Sequence, residues 1–207
     1  MRKKHVVDEK AIKRYEADLF WPLHIHKIHN GNFRRCIDIG GYKGKYSSLY
    51  ASLFKRVETF EPNQKILPEF YSSTKFYTNI TLHKLGVSNY IGSSDFFCNN
   101  VNMGMCTTTP KYATLSNNFE SPIKINVTTI DSMNFTDVDF IKIDAEGADK
   151  KIIQGAMETI NTCHPTIQIE YRDKKLANQF KKNGYKLMNT KKYRNLTDNV
   201  WVYNPDV

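Results

Sequence analysis

No run of eighteen or more apolar residues occurs in this sequence, so a membrane-spanning helix is excluded on length. The basic start Met1-Arg2-Lys3-Lys4-His5 is followed by Asp8, Glu9 and Lys10, where a secretory leader needs an apolar stretch. The expectation is therefore a cytoplasmic, intracellular protein. Cysteine is scarce, and Cys36, Cys98, Cys106 and Cys163 make no Cys-x-x-Cys pair, which argues against a disulfide scaffold. Without a secretory route, the Asn-x-Thr matches at Asn79, Asn126, Asn134 and Asn195 are chance. Repeats, low-complexity tracts and a Pro/Gly/Ser-rich linker are all missing, so one domain over 1–207 is expected, with a helical lead-in over 1–30 and a core over 31–207. The G-x-G-x-x-G fingerprint and the Walker Lys-Ser/Thr are also missing, and hydride transfer and P-loop phosphoryl transfer lose weight with them.

What is present begins with charge. Thirty Lys and Arg against twenty-one Asp and Glu leave a formal charge of +9. The basic residues are scattered apart from pairs such as Lys174-Lys175 and Lys181-Lys182, and no nucleic-acid-binding motif accompanies them. A solvated lysine surface explains this more simply than a nucleic-acid partner. The sequence is 40% hydrophobic, enough for a continuous core at this length.

Apolar spacing predicts a lead-in helix over 9–29, then alternating strands and helices. Strands are expected over 33–39, 57–60, 81–87, 138–143 and 166–169, and a closing pair over 185–188 and 200–203. Helices are expected over 46–54, 64–71, 149–160 and 174–183, with an irregular stretch from 96 to 130 that alternates only at Ile123, Ile125 and Val127. Such alternation implies a mostly parallel sheet, here with an antiparallel pair at one edge. Ligands of such sheets bind beyond the carboxyl ends of the strands.

Two strand ends carry a nucleoside signal. Asp38-Ile39-Gly40-Gly41-Tyr42-Lys43-Gly44 supplies a tight turn that a ligand can approach closely. Glu61, 23 residues beyond Asp38 in Phe60-Glu61-Pro62-Asn63, stands where an acid accepts from both ribose hydroxyls. Downstream come Val127-Thr128-Thr129-Ile130-Asp131-Ser132 and Phe140-Ile141-Lys142-Ile143-Asp144-Ala145-Glu146-Gly147. In this order, over roughly 34–170, the motifs resemble the FkbM family of methyltransferases. The resemblance implies a class I methyltransferase, Rossmann-like α/β fold: a mostly parallel seven-stranded sheet with an antiparallel edge strand and helices on both faces. It also implies S-adenosylmethionine as cofactor and a hydroxyl acceptor on a sugar or natural-product scaffold. Carried onto this chain, Asp38, Gly40 and Gly44 line the methionine and ribose part of the cofactor, and Gly41 and Tyr42 share that turn. Glu61, with Pro62 and Asn63, holds the ribose, and Gly86, Val87 and Ser88 border the adenine. The chain departs from the family at Gly41-Tyr42, where Ala-Asn is usual.

Methyl transfer needs an aligned acceptor and a place for its proton. Asp144, at the end of its strand and next to the cofactor's expected sulfur, and Glu170, at the end of the following strand, would arrange the acceptor. Their convergence would suit Mg²⁺ or Mn²⁺; alternatively Glu170 pairs with Arg172. Glu146 is either a general base or a complement to the following helix dipole. The role of Lys142, turned away from Ile141 and Ile143, is open. His83 reads as structural, and His24, His26 and His29 as surface residues. The stretch 99–121 reads as a polar lid over the acceptor. The leading expectation is an O-methyltransferase acting on a sugar hydroxyl of a glycan or glycosylated small molecule. The alternatives are an RNA 2′-O-methyltransferase and a nucleoside-binding module without catalysis.

Overall fold

The computed structural model describes residues 29, 31–170, 173–188 and 199–204. Apart from His29, the expected lead-in helix lies outside the described residues. Strands β1 (Arg35–Ile39), β2 (Arg56–Phe60), β3 (Ile80–His83), β7 (Val138–Ile143), β8 (Thr166–Ile169), β9 (Tyr185–Leu187) and β10 (Asn199–Tyr203) form one sheet, in the order β3-β2-β1-β7-β8-β10-β9. Neighbours from β3 to β8 run parallel, and β10 runs antiparallel to both β8 and β9. The counter-running strand thus stands one place in from the edge rather than at it. Burial explains the order: Val200 and Trp201 of β10 are covered, whereas Lys186 and Leu187 of β9 face solvent.

The period-two alternation of the strands sorts side chains onto two covered faces. Ile37 and Ile39 of β1, Ile141 and Ile143 of β7, and Ile167 and Ile169 of β8 pack in one cluster. That cluster also takes Ile152, Ile153 and Ile160 from helices α4 (Asp149–Gln154) and α5 (Met157–Cys163), and Leu176 and Phe180 from α6 (Lys174–Lys182). Cys36 and Phe140 point the other way, onto Tyr50 and Ala51 of α1 (Lys45–Ala51) and onto Phe54. Helix α2 (Leu67–Thr74), which follows a short 3₁₀ turn at Gln64–Ile66, packs beside α1, and α3 (Pro110–Ala113) is a single turn between Phe96 and Ile123 in chain order.

His29 is a correction to the sequence reading. It is buried, with Nε2 2.7 Å from the Asn32 carbonyl oxygen and Nδ1 2.9 Å from the Thr166 hydroxyl. A carbonyl only accepts, so Nε2 donates to Asn32 O, and the Thr166 hydroxyl partners Nδ1.

The stretch expected as one strand over 81–87 divides between two sheets. After β3 the chain leaves the main sheet and enters β4 (Gly86–Val87), which pairs with β6 (Ile123–Thr128) beside β5 (Gly92–Phe96). The helix expected over 149–160 also divides, because Gly155 lies so close to the Ser88 carbonyl that a Cβ there would stand 2.1 Å from its oxygen. The Gly155 carbonyl accepts from Asp131 N instead of continuing the helix.

Ion pairs gather at the opposite end of the sheet from the glycine turn. Arg34 pairs with Asp139 at 2.7 Å, Arg35 with Glu58 and Asp137, and Arg56 with Asp137. His83 stacks on Phe60 and meets Glu58 at 2.9 Å, consistent with a structural role. Three of the seven arginines are thus paired with carboxylates at this end.

Candidate functional site

The strand order reverses between β1 and β7, which opens a crevice at their carboxyl ends. At that point lies a cavity of about 330 Å³. Its walls come from the turn after β1 (Gly40, Gly41, Tyr42), the end of β2 (Phe60, Glu61, Pro62), the crossing into the small sheet (Leu85, Gly86, Val87), the lid (Met103, Gly104, Cys106, Thr108), and the end of β7 (Asp144, Ala145, Glu146).

The turn depends on glycine. Gly40 has φ +80°, and a Cβ there would lie 1.9 Å from the Asp144 carbonyl oxygen. Tyr42 adopts φ 46° without that freedom. Its strain is offset by Glu61, whose Oε2 accepts from Tyr42 N at 2.9 Å while Oε1 accepts from Asn63 N at 2.7 Å. Burial pushes the Glu61 carboxyl up, and the two backbone donors pull it back. The carboxylate is thus fixed in the cavity wall with lone pairs left to accept further hydroxyls.

Not every residue expected at the cofactor reaches the cavity. Asp38 lies beneath the turn, fully buried, with Oδ2 accepting from Ser47 Oγ at 2.7 Å and Oδ1 facing Lys142 Nζ at 3.4 Å. Burial pushes its carboxyl pKa up, while Lys142 and Ser47 pull it back. Gly44 caps α1. Asn63 is buried, caps Lys65 N, and donates to Cys106 Sγ of the lid at 3.5 Å. Ser88 turns into the small sheet, donating its N–H to Thr128 O. Gly41, Tyr42, Pro62, Gly86 and Val87 do line the cavity.

At the end of β7, the Asp144 side chain is 45% exposed, and its Oδ2 lies 3.3 Å from Lys142 Nζ. Glu146 sits in the wall with φ 41°, and its pKa is pushed up to about 7. Burial is the main cause, and the negative charges of Asp144, Glu170 and Asp149 add to it. Glu170 is exposed at the end of β8 and acts on Glu146 through charge rather than as part of the wall. Arg172 lies outside the described residues.

A Mg²⁺ or Mn²⁺ site on Asp144 and Glu170 does not fit this arrangement. Asp144 already faces an ammonium, and among the described residues no group of three or more His, Cys, Asp or Glu is placed to hold a metal. Magnesium requires a near-octahedral set of oxygens, mostly water and carboxylate.

The lid over 97–122 is tied to the β7 loop. Thr107 Oγ1 donates to the Glu146 carbonyl at 2.6 Å, Thr109 Oγ1 donates to the Gly147 carbonyl at 3.2 Å, and the Tyr112 ring lies over Gly147. Asn99, Thr107 and Thr109 turn to backbone partners, while Val101, Met105 and Leu115 are exposed among polar residues such as Asn100, Asn117 and Asn118. Sequence reasoning missed the contributions of Lys45, Tyr46, Leu85 and Phe96 to the wall, because nothing in a linear pattern marks residues that only tertiary folding gathers.

The strand order and the crevice define the class: an α/β fold of the class I methyltransferase type. Residues 38–196 match the methyltransferase FkbM domain, and the chain belongs to that family. Among solved structures it is similar to the methyltransferase FkbM from Methylobacillus flagellatus KT, at 18% identity and a TM-score of 0.55. That match covers 97% of this chain and 56% of the other, so the chain spans little more than half the length of that protein. A SAM-dependent methyltransferase from Aquifex aeolicus matches at 10% identity and a TM-score of 0.47, over 95% of this chain and 98% of that one. An rRNA methylase from Streptococcus thermophilus matches at 10% identity and a TM-score of 0.49, over 88% and 97%. No curated protein matches the sequence.

Proposed function

We propose that this chain transfers a methyl group from S-adenosylmethionine to a sugar hydroxyl, in a glycan or a glycosylated metabolite, with Glu146 taking the hydroxyl proton. The observation that carries this reading is Glu146 itself: a carboxylate in the cavity wall with its pKa near 7, the value a general base needs at neutral pH. The cavity suits the donor, since Glu61 offers a fixed carboxylate to ribose hydroxyls and Leu85, Val87, Phe96 and Met103 offer apolar walls to a base.

S-adenosylmethionine, when bound, supplies a methyl group on a sulfonium sulfur, and transfer forms the O–CH₃ bond as the S–CH₃ bond breaks with its electron pair going to sulfur. The chain's own residues arrange the rest. Glu61 and the Gly40–Gly44 turn orient the donor, and the lid excludes water from above. A Glu146 carboxylate oxygen receives the acceptor's proton, leaving net charge unchanged across the step.

The test is labelled-methyl transfer to a panel of sugar acceptors, with RNA as a second arm, measured from pH 5.5 to 9. The base works deprotonated, so the rate should rise with pH through about 7 and then level, in accord with the raised pKa of Glu146. Glu146→Gln should lose that dependence and about 10²-fold or more of the rate. Transfer to RNA alone would replace the sugar reading, and a Glu146→Gln enzyme of unchanged rate would remove the base.

A further inference from the structure

Lys142 is the least expected side chain in the sheet. It is the last residue but one of β7, and its side chain is only 2% exposed. In register, it lies between Asp38 of β1 and Gln168 of β8, so three polar residues cross the covered face beneath α1 in one row. Its ammonium is 3.4 Å from Asp38 Oδ1, 3.3 Å from Asp144 Oδ2 and 3.3 Å from the Gly40 carbonyl, and 4.8 Å from the centre of the Tyr46 ring.

Two of these contacts have an ordinary explanation. Asp38 is fully buried, and a carboxylate there requires a counter-charge. The Gly40 carbonyl is a convenient third acceptor. The contact with Asp144 is different, because that side chain is 45% exposed and water would solvate it well. It gains little neutralisation from a lysine. What it gains is direction: a half-exposed aspartate at a strand end has several open rotamers, and an ammonium anchored on two other groups selects one of them.

We propose that Lys142 is a positioning residue, whose buried ammonium, anchored on Asp38 and Gly40, holds the Asp144 carboxylate at the transfer end of the cavity. It gives the site a built-in cation, placed against the carboxylate a divalent ion would otherwise use. The inference rests on the cavity being the S-adenosylmethionine site. Lys142 acts through Asp144 and reaches no substrate itself.

The sulfonium of S-adenosylmethionine is positive and the sulfur of S-adenosylhomocysteine is neutral, so the ratio of their affinities reads the charge held near that sulfur. Calorimetric titration with both compounds is made on the wild type, Lys142→Met, Asp144→Asn and the double variant. Positioning through Asp144 predicts that Lys142→Met changes the ratio by roughly threefold or more, and that the change largely vanishes once Asp144 is Asn. Equal weakening of both ligands, or the same ratio change in both Asp144 backgrounds, would overturn it and leave Lys142 a structural counter-ion. Because Lys142→Met strands the Asp38 charge, the same four proteins are also made with Asp38→Asn, which removes that charge and keeps its shape. A wild type that binds neither compound would fail the cofactor reading itself, whereas binding with an unmoved ratio fails only the role of Lys142.

Discussion

Glu61 shows how a residue at a strand end acquires a function. Its two oxygens accept from the backbone of Tyr42 and Asn63, so it braces the strained Tyr42 turn as well as facing the cavity. Removing it should therefore cost more than one ligand contact. Glu61→Ala should weaken S-adenosylhomocysteine by on the order of 10²-fold in calorimetry, since hydrogen bonds to a charged group contribute about 1.5–3 kcal/mol each. Affinity within threefold of wild type would detach Glu61 from the ribose. The acid was legible from its spacing after Asp38, because both occupy strand ends in a predictable alternation. The depth of Asp38 was not legible: whether a residue beside a turn faces the cavity or the sheet depends on which way the strand's period-two pattern falls, and Ser47 and Lys142 decide that only in three dimensions.

At the scale of elements, the lid and the β7 loop meet at Gly147. This residue has φ +87°, and a Cβ would come within 2.4 Å of the Tyr112 ring. Gly147→Ala should lower unfolding stability by about 1–2 kcal/mol from the left-handed backbone alone, with more from the clash. Chemical denaturation should show Tyr112→Ala restoring the clash portion and leaving the backbone portion. A fully stable Gly147→Ala would mean that the lid does not rest on this glycine. The long strands were readable from runs such as Val138–Ile143, where all six residues are buried. Breaks were harder to read. Gly155 interrupts a good helical pattern because the Ser88 backbone passes against it, and Leu85 leaves a strand pattern because the chain changes sheets. Both causes are contacts between segments far apart in sequence, which periodicity does not carry.

The whole molecule separates its tasks along the strands. Ion pairs and the His29 contacts hold one end, and the cavity occupies the other. A ligand bound only by the folded state should stabilise the entire sheet through β1, β2 and β7. At a hundred times its dissociation constant, S-adenosylhomocysteine should add about 2.7 kcal/mol, or roughly 5–10 °C in Tm for a chain of this size. A calorimetric scan without such a shift would show that the compound does not bind the native cavity. The overall topology was readable because each strand and helix carries its own local period, whereas the inward place of β10 turns on which of two short strands is the more apolar.

The lid leaves β5 at Phe96 and returns into β6 at Ile123, and these two residues are direct partners across the small sheet. Its roots are therefore closed by backbone pairing before any of its own residues matter. Loop-closure entropy changes only slowly with length when the ends are already held together. Insertions or replacements between those roots should leave the donor half undisturbed, provided the two threonines that grip the Glu146 and Gly147 carbonyls and the cavity-lining stretch from Met103 to Cys106 remain. The segment is in effect an interchangeable cassette, through which descendants of this fold could change acceptor without rebuilding the rest.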